Sequence, residues 1–167
     1  MDVQTSEQRQ NHLAQRIIDS DTTGGMRSAG STWESPDWLL DLVARVDVLI
    51  QEETVTYVTA TFRDGVGKAV VVTGTRIVVA TIDAPSTEGD QQLANLSVRA
   101  VSVQQVRGIT VDEVSPGTDR QDWPSRLRVT LAFADGEPDL TLPAPTTTWN
   151  RSGRELAAVV STLLAKG

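Results

Sequence analysis

A chain of 167 residues with 39% hydrophobic and 22% charged residues is sized for one domain with added elements, and its composition allows a globular core. The net charge is −7, and the absence of cysteine sets aside disulfides, thiolate chemistry and cysteine-based zinc sites. The acidity also argues against nonspecific nucleic-acid binding and against docking on anionic lipid as the main activity.

The first 53 residues hold ten acidic and four basic side chains, a balance of −6, whereas the remainder is close to neutral. The opening MDVQTSEQRQ lacks the basic and apolar regions of a signal peptide, and no apolar run nears the roughly 20 residues a membrane-spanning helix needs. A cytoplasmic protein is the expectation. Residues 1–22 are polar, with one weak helical stripe of Leu13, Ile17 and Ile18. That stripe predicts a short helix over Ser6 to Asp19 with little to bury. Thr22 to Thr32, TTGGMRSAGST, has the composition of a mobile linker, so residues 1–34 read as a flexible arm.

Ser35-Pro36-Asp37 has the features of a helix start: Ser accepts bonds from free amides, Pro suits the first helical position, and Asp favours the positive end of the dipole. Trp38 or Leu39, then Leu42, Val43, Val46 and Ile50, follow at helical spacing, with Asp41, Arg45 and Asp47 largely between them. Residues 35–52 thus form an amphipathic helix. From Thr54 the period changes to two. Val55 to Phe62 makes a first strand, ended by Arg63-Asp64-Gly65-Val66-Gly67. Lys68 to Asp83, KAVVVTGTRIVVATID, then reads as a β-hairpin about Gly74-Thr75, with Gly supplying the positive φ of a type II′ turn. In that register Val72 faces Ile77 and Val70 faces Val79 on one side, while Val71 and Val78 pair on the other. A sheet apolar on both faces needs a second cover, and the Pro36–Gln51 helix, another subunit or a partner can supply it.

Beyond a polar loop at Ala84 to Asn95, Leu96, Val98, Ala100, Val101 and Val103 mark a strand with a bulge, and Ile109 and Val111 mark another. A second polar loop spans Ser115 to Ser125. Leu127, Val129, Leu131 and Phe133 alternate with more polar neighbours, Asp135-Gly136 turns the chain, and Leu140 and Leu142 form a short last strand. Ser152 to Glu155 fits a capping box, opening a helix with the stripe Leu156, Val159, Val160, Leu163 and Leu164.

No constellation for catalysis stands out. His12 is the only histidine and lies in the acidic arm. Adjacent acids such as Asp112 and Glu113 diverge in an extended strand. Gly67-Lys68 is followed by Ala69, and Phe62 stands where a phosphate loop needs its first Gly. No G-x-S-x-G elbow occurs. Aromatics make up only 4% of the chain, too few for a base-stacking surface, and Trp33, Trp38, Trp123 and Trp149 read as packing anchors. The reading is of a chain without catalytic residues, metal or cofactor.

Three segments resemble the bacterial pleckstrin-homology-like domains. Val72 to Val79 looks like that family's T-x-x-R-hydrophobic hairpin; Val101 to Val111 resembles its strand–turn–strand segment, with a short buried turn; Leu131 to Gly136, Leu140 to Pro143 and the last helix resemble its closing portion. The resemblance covers residues 53–166, about two thirds of the chain, within a domain taken as 53–167. It implies an α+β, mainly β fold: a strongly bent seven-stranded antiparallel sheet or partly open barrel, capped by the C-terminal helix, here with an extra N-terminal amphipathic helix. The architecture serves lipid, peptide and protein binding alike. Phosphoinositide-binding relatives carry several bases around the first hairpin; Arg63 and Lys68 flank it here, with Asp64 between them and Val70 and Val72 where further bases are wanted.

The expectation is therefore a non-enzymatic binding or scaffolding module acting through protein contacts, with a protein partner or a second copy of itself. Its interface candidates are Leu39, Leu42, Val43, Val46, Val70, Val72, Ile77 and Val79. The alternative is a lipid-headgroup or small-anion module using Arg63, Lys68 and Arg76, with only weak membrane association; an unrecognised hydrolase ranks third. No nucleic-acid partner is expected.

Overall fold

The computed structural model of the chain describes residues 5–21, 23–25, 37–83, 95–115, 124–144 and 153–166. The linker reading of residues 26–32, the Ser35-Pro36 helix start, Ser152 of the proposed capping box, Trp33, Trp123, Trp149 and most of the two polar loops lie outside them.

Period-two alternation becomes seven antiparallel strands: β1 (Val55–Arg63), β2 (Val66–Thr73), β3 (Arg76–Asp83), β4 (Asn95–Ser102), β5 (Val106–Val114), β6 (Leu127–Phe133) and β7 (Leu140–Leu142). Helices α1 (Ser6–Ser20) and α2 (Asp37–Ile50) precede them, and α3 (Gly153–Lys166) follows. The fold is α+β and mainly β. The strands divide into two sheets, ordered β1-β2-β3-β4 and β5-β6-β7, and no closed barrel forms among the described residues. The break falls where the sequence suggested a bulge. Ser102 instead caps a short 3-10 turn, Val103–Gln105, with Val103 buried, and that turn interrupts the ladder between β4 and β5.

The β2–β3 register matches the valine pattern: Val70 faces Val79, Val71 faces Val78 and Val72 faces Ile77. The turn itself differs from expectation, since Gly74 does not take a positive φ. The reason is local. Thr73 Oγ1 accepts the amides of Arg76 (3.0 Å) and Thr75 (3.4 Å), so a side chain closes the turn and no mirror-image backbone is required. Positive φ appears in the other two hairpins, at Asp64-Gly65 and Asp135-Gly136, the Asp-Gly pairs suited to it.

The two valine faces belong to two separate cores. Val71 and Val78, with Val58, Ala60, Phe62, Ala69, Ala80 and Ile82, pack beneath α1 and α2. Leu39, Leu42, Val43, Val46 and Ile50 supply the α2 side, and Trp38 stacks on Phe62 with ring centroids 4.9 Å apart. Tyr57, Val70, Val72, Ile77 and Val79 face the second sheet and α3, through Val129, Leu131, Leu142, Leu156 and Val159. The last helix carries a narrower stripe than its sequence suggested, because Leu164 is exposed.

Helix α1 buries more than its composition promised. Leu13 and Ile17 enter the first core, with Ala14 and Ile18 packed against it. Its N-terminus has a reciprocal cap between Thr5 and Gln8. Asp47, which reads as a surface position of α2, is buried beneath α1, where Arg9 (3.4 Å) and Gln10 (3.2 Å) bind its carboxylate. A buried charge needs such partners, so α1 and α2 specify each other. No helix among the described residues is long and apolar enough to cross a membrane.

Candidate functional site

The eight apolar interface candidates, Leu39, Leu42, Val43, Val46, Val70, Val72, Ile77 and Val79, are all buried within the chain, none more than 5% exposed. They cover one another: the helix residues lie over one face of the first sheet, and Val70, Val72, Ile77 and Val79 meet the second sheet on the other. In this fold they are core.

The three basic candidates do not come together either. Arg63 and Lys68 share one face and one end of the first sheet, Arg63 beside Val66 and Lys68 opposite Thr61. Arg63 is exposed and lies 3.6 Å from Asp64. Arg76 starts β3 at the opposite end and on the opposite face, about 16 Å from the Lys68 level at the usual strand rise. There it is part of a brace. Its guanidinium donates to the Leu49 carbonyl and to Gln51 Oε1 (3.2 Å), and lies 3.5 Å from Glu53. Glu53 in turn accepts from the hydroxyls of Thr75 (2.6 Å) and Thr73 (2.7 Å) and the Thr75 amide (3.1 Å). The Thr75 and Thr73 hydroxyls hold its carboxyl below the ordinary value, helped by that amide and by Arg76. Arg76 thus ties the β2–β3 turn to the end of α2.

Arg99 is the basic residue that sequence reading passed over. Strand pairing sets it opposite Val79, on the same face as Lys68 and one level along. Lys68 is half-buried, and its amine is pushed below the ordinary lysine value, first by burial and then by the Arg99 charge. Among the described residues Lys68 has no acidic partner, whereas Arg99 pairs with Glu137 of the β6–β7 connection. The signal was weak: a lone Arg in a strand, with its neighbour set by pairing across β3.

Between α1, the end of α2 and the start of β1 lies a cleft of about 290 Å³, lined by Arg9, His12, Arg16, Asp47, Glu52 and Glu53 among others. Its charges are already engaged. Asp47 binds Arg9 and Gln10, Arg16 donates to the Val55 carbonyl (2.9 Å), and Glu53 holds the hairpin turn. His12 is exposed at its rim. Among the described residues no group of three or more His, Asp or Glu side chains is placed to hold a metal ion.

Strand β5 is largely exposed. It ends the second sheet, pairing with β6 alone among the described residues. Seven of its nine residues are exposed. Val111 and Val114 are 56% and 47% exposed, although the residues opposite them, Val129 and Leu127, are buried. The first edge of the other sheet, β1, is dressed. Thr23 Oγ1 accepts the Phe62 amide (3.2 Å) and donates to the Phe62 carbonyl (2.7 Å), Asp21 bridges to Ala60, and Arg16 holds the Val55 carbonyl. A strand whose outer edge has no partner among the described residues and carries exposed valines is a template for another strand. Comparison of the chain with models of protein families, with curated proteins and with solved structures finds no match.

Proposed function

We propose that this chain is a non-enzymatic binding module of the pleckstrin-homology-like type, acting through protein contacts at the free edge of β5. A four-stranded and a three-stranded antiparallel sheet with a C-terminal helix packed between β1 and β6 is compatible with that family's frame. The observation that carries the functional reading is the contrast between the covered β1 edge and the exposed β5 edge with Val111 and Val114. Strand addition supplies affinity through main-chain bonds and selectivity through alternate side chains. Extended peptides selected from a random library on the full chain should protect β5 amides from hydrogen exchange, and Val111→Asp should abolish their binding. Binders that leave β5 unprotected would refute the reading.

A second reading rests on Lys68 and Arg99. Two cations on one face, one of them half-buried without an acidic partner among the described residues, favour a small anion or a lipid headgroup. Arg63 lies at the same end of the sheet; Arg76 belongs to the turn brace. Binding to phosphatidylserine/phosphatidylcholine vesicles, or of inorganic phosphate, that is lost in Lys68→Met and unchanged in Val111→Asp would favour this reading over the first. Weak binding that falls steeply with salt is the expected form.

A further inference from the structure

We propose that the occupant of the β5 edge is a second copy of this chain, paired antiparallel across a two-fold axis at Thr110; this rests on the strand-addition reading above. The strand reads Val106-Arg107-Gly108-Ile109-Thr110-Val111-Asp112-Glu113-Val114. Laid antiparallel against itself about Thr110, it sets Arg107 of each copy opposite Glu113 of the other. The same register sets Ile109 opposite Val111 and Val106 opposite Val114. Every apolar residue meets an apolar one, and the strand's one base meets an acid twice. Sliding the pairing by one residue destroys this match, setting Val106 against Glu113 in one direction and Arg107 against Val114 in the other. Like-with-like and opposite-charge pairs directly across an antiparallel ladder are the favourable ones.

The groups needed are available. Arg107 is exposed and has no partner among the described residues. Glu113 is exposed and lies 2.9 Å from Arg128 of its own chain, leaving room for a second cation. The inward row of β5 in the two-fold pair holds Ile109 and the two exposed valines, so pairing covers apolar surface that the single chain leaves to water. Register shifts in the β5–β6 ladder fall between Val106 and Gly108 and between Val111 and Glu113, on either side of Thr110. Such shifts increase the twist of the strand on either side of its centre. An isologous pair of this kind uses the edge once and stops, which an open-ended stack of strands does not.

The test is the mass of the full chain in solution, by sedimentation velocity over a concentration series. The wild-type chain should reversibly dimerise. Arg107→Glu and Glu113→Arg should each weaken dimerisation at least tenfold, because each sets like charges opposite one another at both ends. An equimolar mixture of the two variants should restore it, since the mixed pair again sets acid against base at both positions. Should Glu113→Arg fail to fold, Arg107→Glu against Arg107→Lys reads the same contact, with dimerisation lost in the first and kept in the second. A chain that stays monomeric, or a dimer indifferent to both charge reversals, overturns the proposal. In either case selected peptides that protect β5 amides would leave the strand-addition reading standing, and their failure would remove that as well.

Discussion

The outer edges of β1 and β5 present the same kind of backbone, yet one is covered and the other bare. On β1 the N-terminal segment supplies a hydroxyl to both polar groups of Phe62, a guanidinium to the Val55 carbonyl and a bridge at Ala60. Nothing among the described residues does this for β5. The β1 edge belongs to a sheet whose two faces are both in cores, so an intruding strand there would disturb both. The β5 edge belongs to a sheet with a polar outer face, where Thr130 donates to Asp112 and Arg128 pairs with Glu113. A strand added there adds cover and displaces no core. The difference teaches that α1, Asp21 and Thr23 are structural, covering β1 where no described residue covers β5.

The sharpest way to break this comparison is to attack the cover of the first sheet. Leu42 is fully buried between α2 and that sheet, and Leu42→Ala should cost about 2–5 kcal/mol in a urea melt. A loss below about 1 kcal/mol would mean that the helical layer is not a core, and the contrast with β5 would fail. Thr23→Val keeps the shape and removes both bonds to Phe62. It should cost about 1–2 kcal/mol and speed amide exchange at Phe62, since a partly buried edge group loses its partner. Unchanged exchange there would show that the β1 edge does not depend on Thr23.

Glu53→Gln should cost about 1 kcal/mol at neutral pH, at the low end for charged hydrogen bonds because the group is partly solvated. Its carboxyl is depressed on folding. The stability it contributes is therefore fully present above the unfolded carboxyl's ordinary range, and is lost as pH falls through the folded value. The variant should lack that part of the acid limb; an identical acid limb in both proteins would refute the brace. The smallest effect is expected at the bare edge. Val111→Thr and Val114→Thr should each change stability by no more than about 0.5 kcal/mol. A cost near that of Leu42→Ala would show that these valines are covered within the chain, and would end the comparison.

Much of this organisation was legible from side-chain pattern. The unbroken valines of Lys68–Asp83 implied a sheet apolar on both sides, and the register they implied is the one formed. The α2 stripe from Leu39 to Ile50 is the stripe buried against that sheet. Other features were not legible because their causes are distant in sequence. Asp47 looks like an exposed acid until α1 brings Arg9 over it. Arg76 looks like a free cation until Glu53, Gln51 and the Leu49 carbonyl surround it. Arg99 meets Lys68 only through pairing across β3. The type II′ turn failed because Thr73 offered a side-chain bond that a propensity for Gly does not register.

By itself the sequence determined which segments are strands and helices and which of their sides are apolar, because periodicity and β-branching act within a few residues. It also determined that the central hairpin needed two covers. Tertiary structure alone decided that both covers come from this chain, that α1 belongs to the core, and that β5 keeps an exposed edge among the described residues. Those outcomes depend on contacts far apart in the chain, such as Arg9 with Asp47, 38 residues apart, and Lys166 with Gly74, 92 apart. A local pattern carries no term for such contacts. Among the described residues, Val106–Val114 is a strand left largely exposed once those contacts form, and its own sequence matches itself.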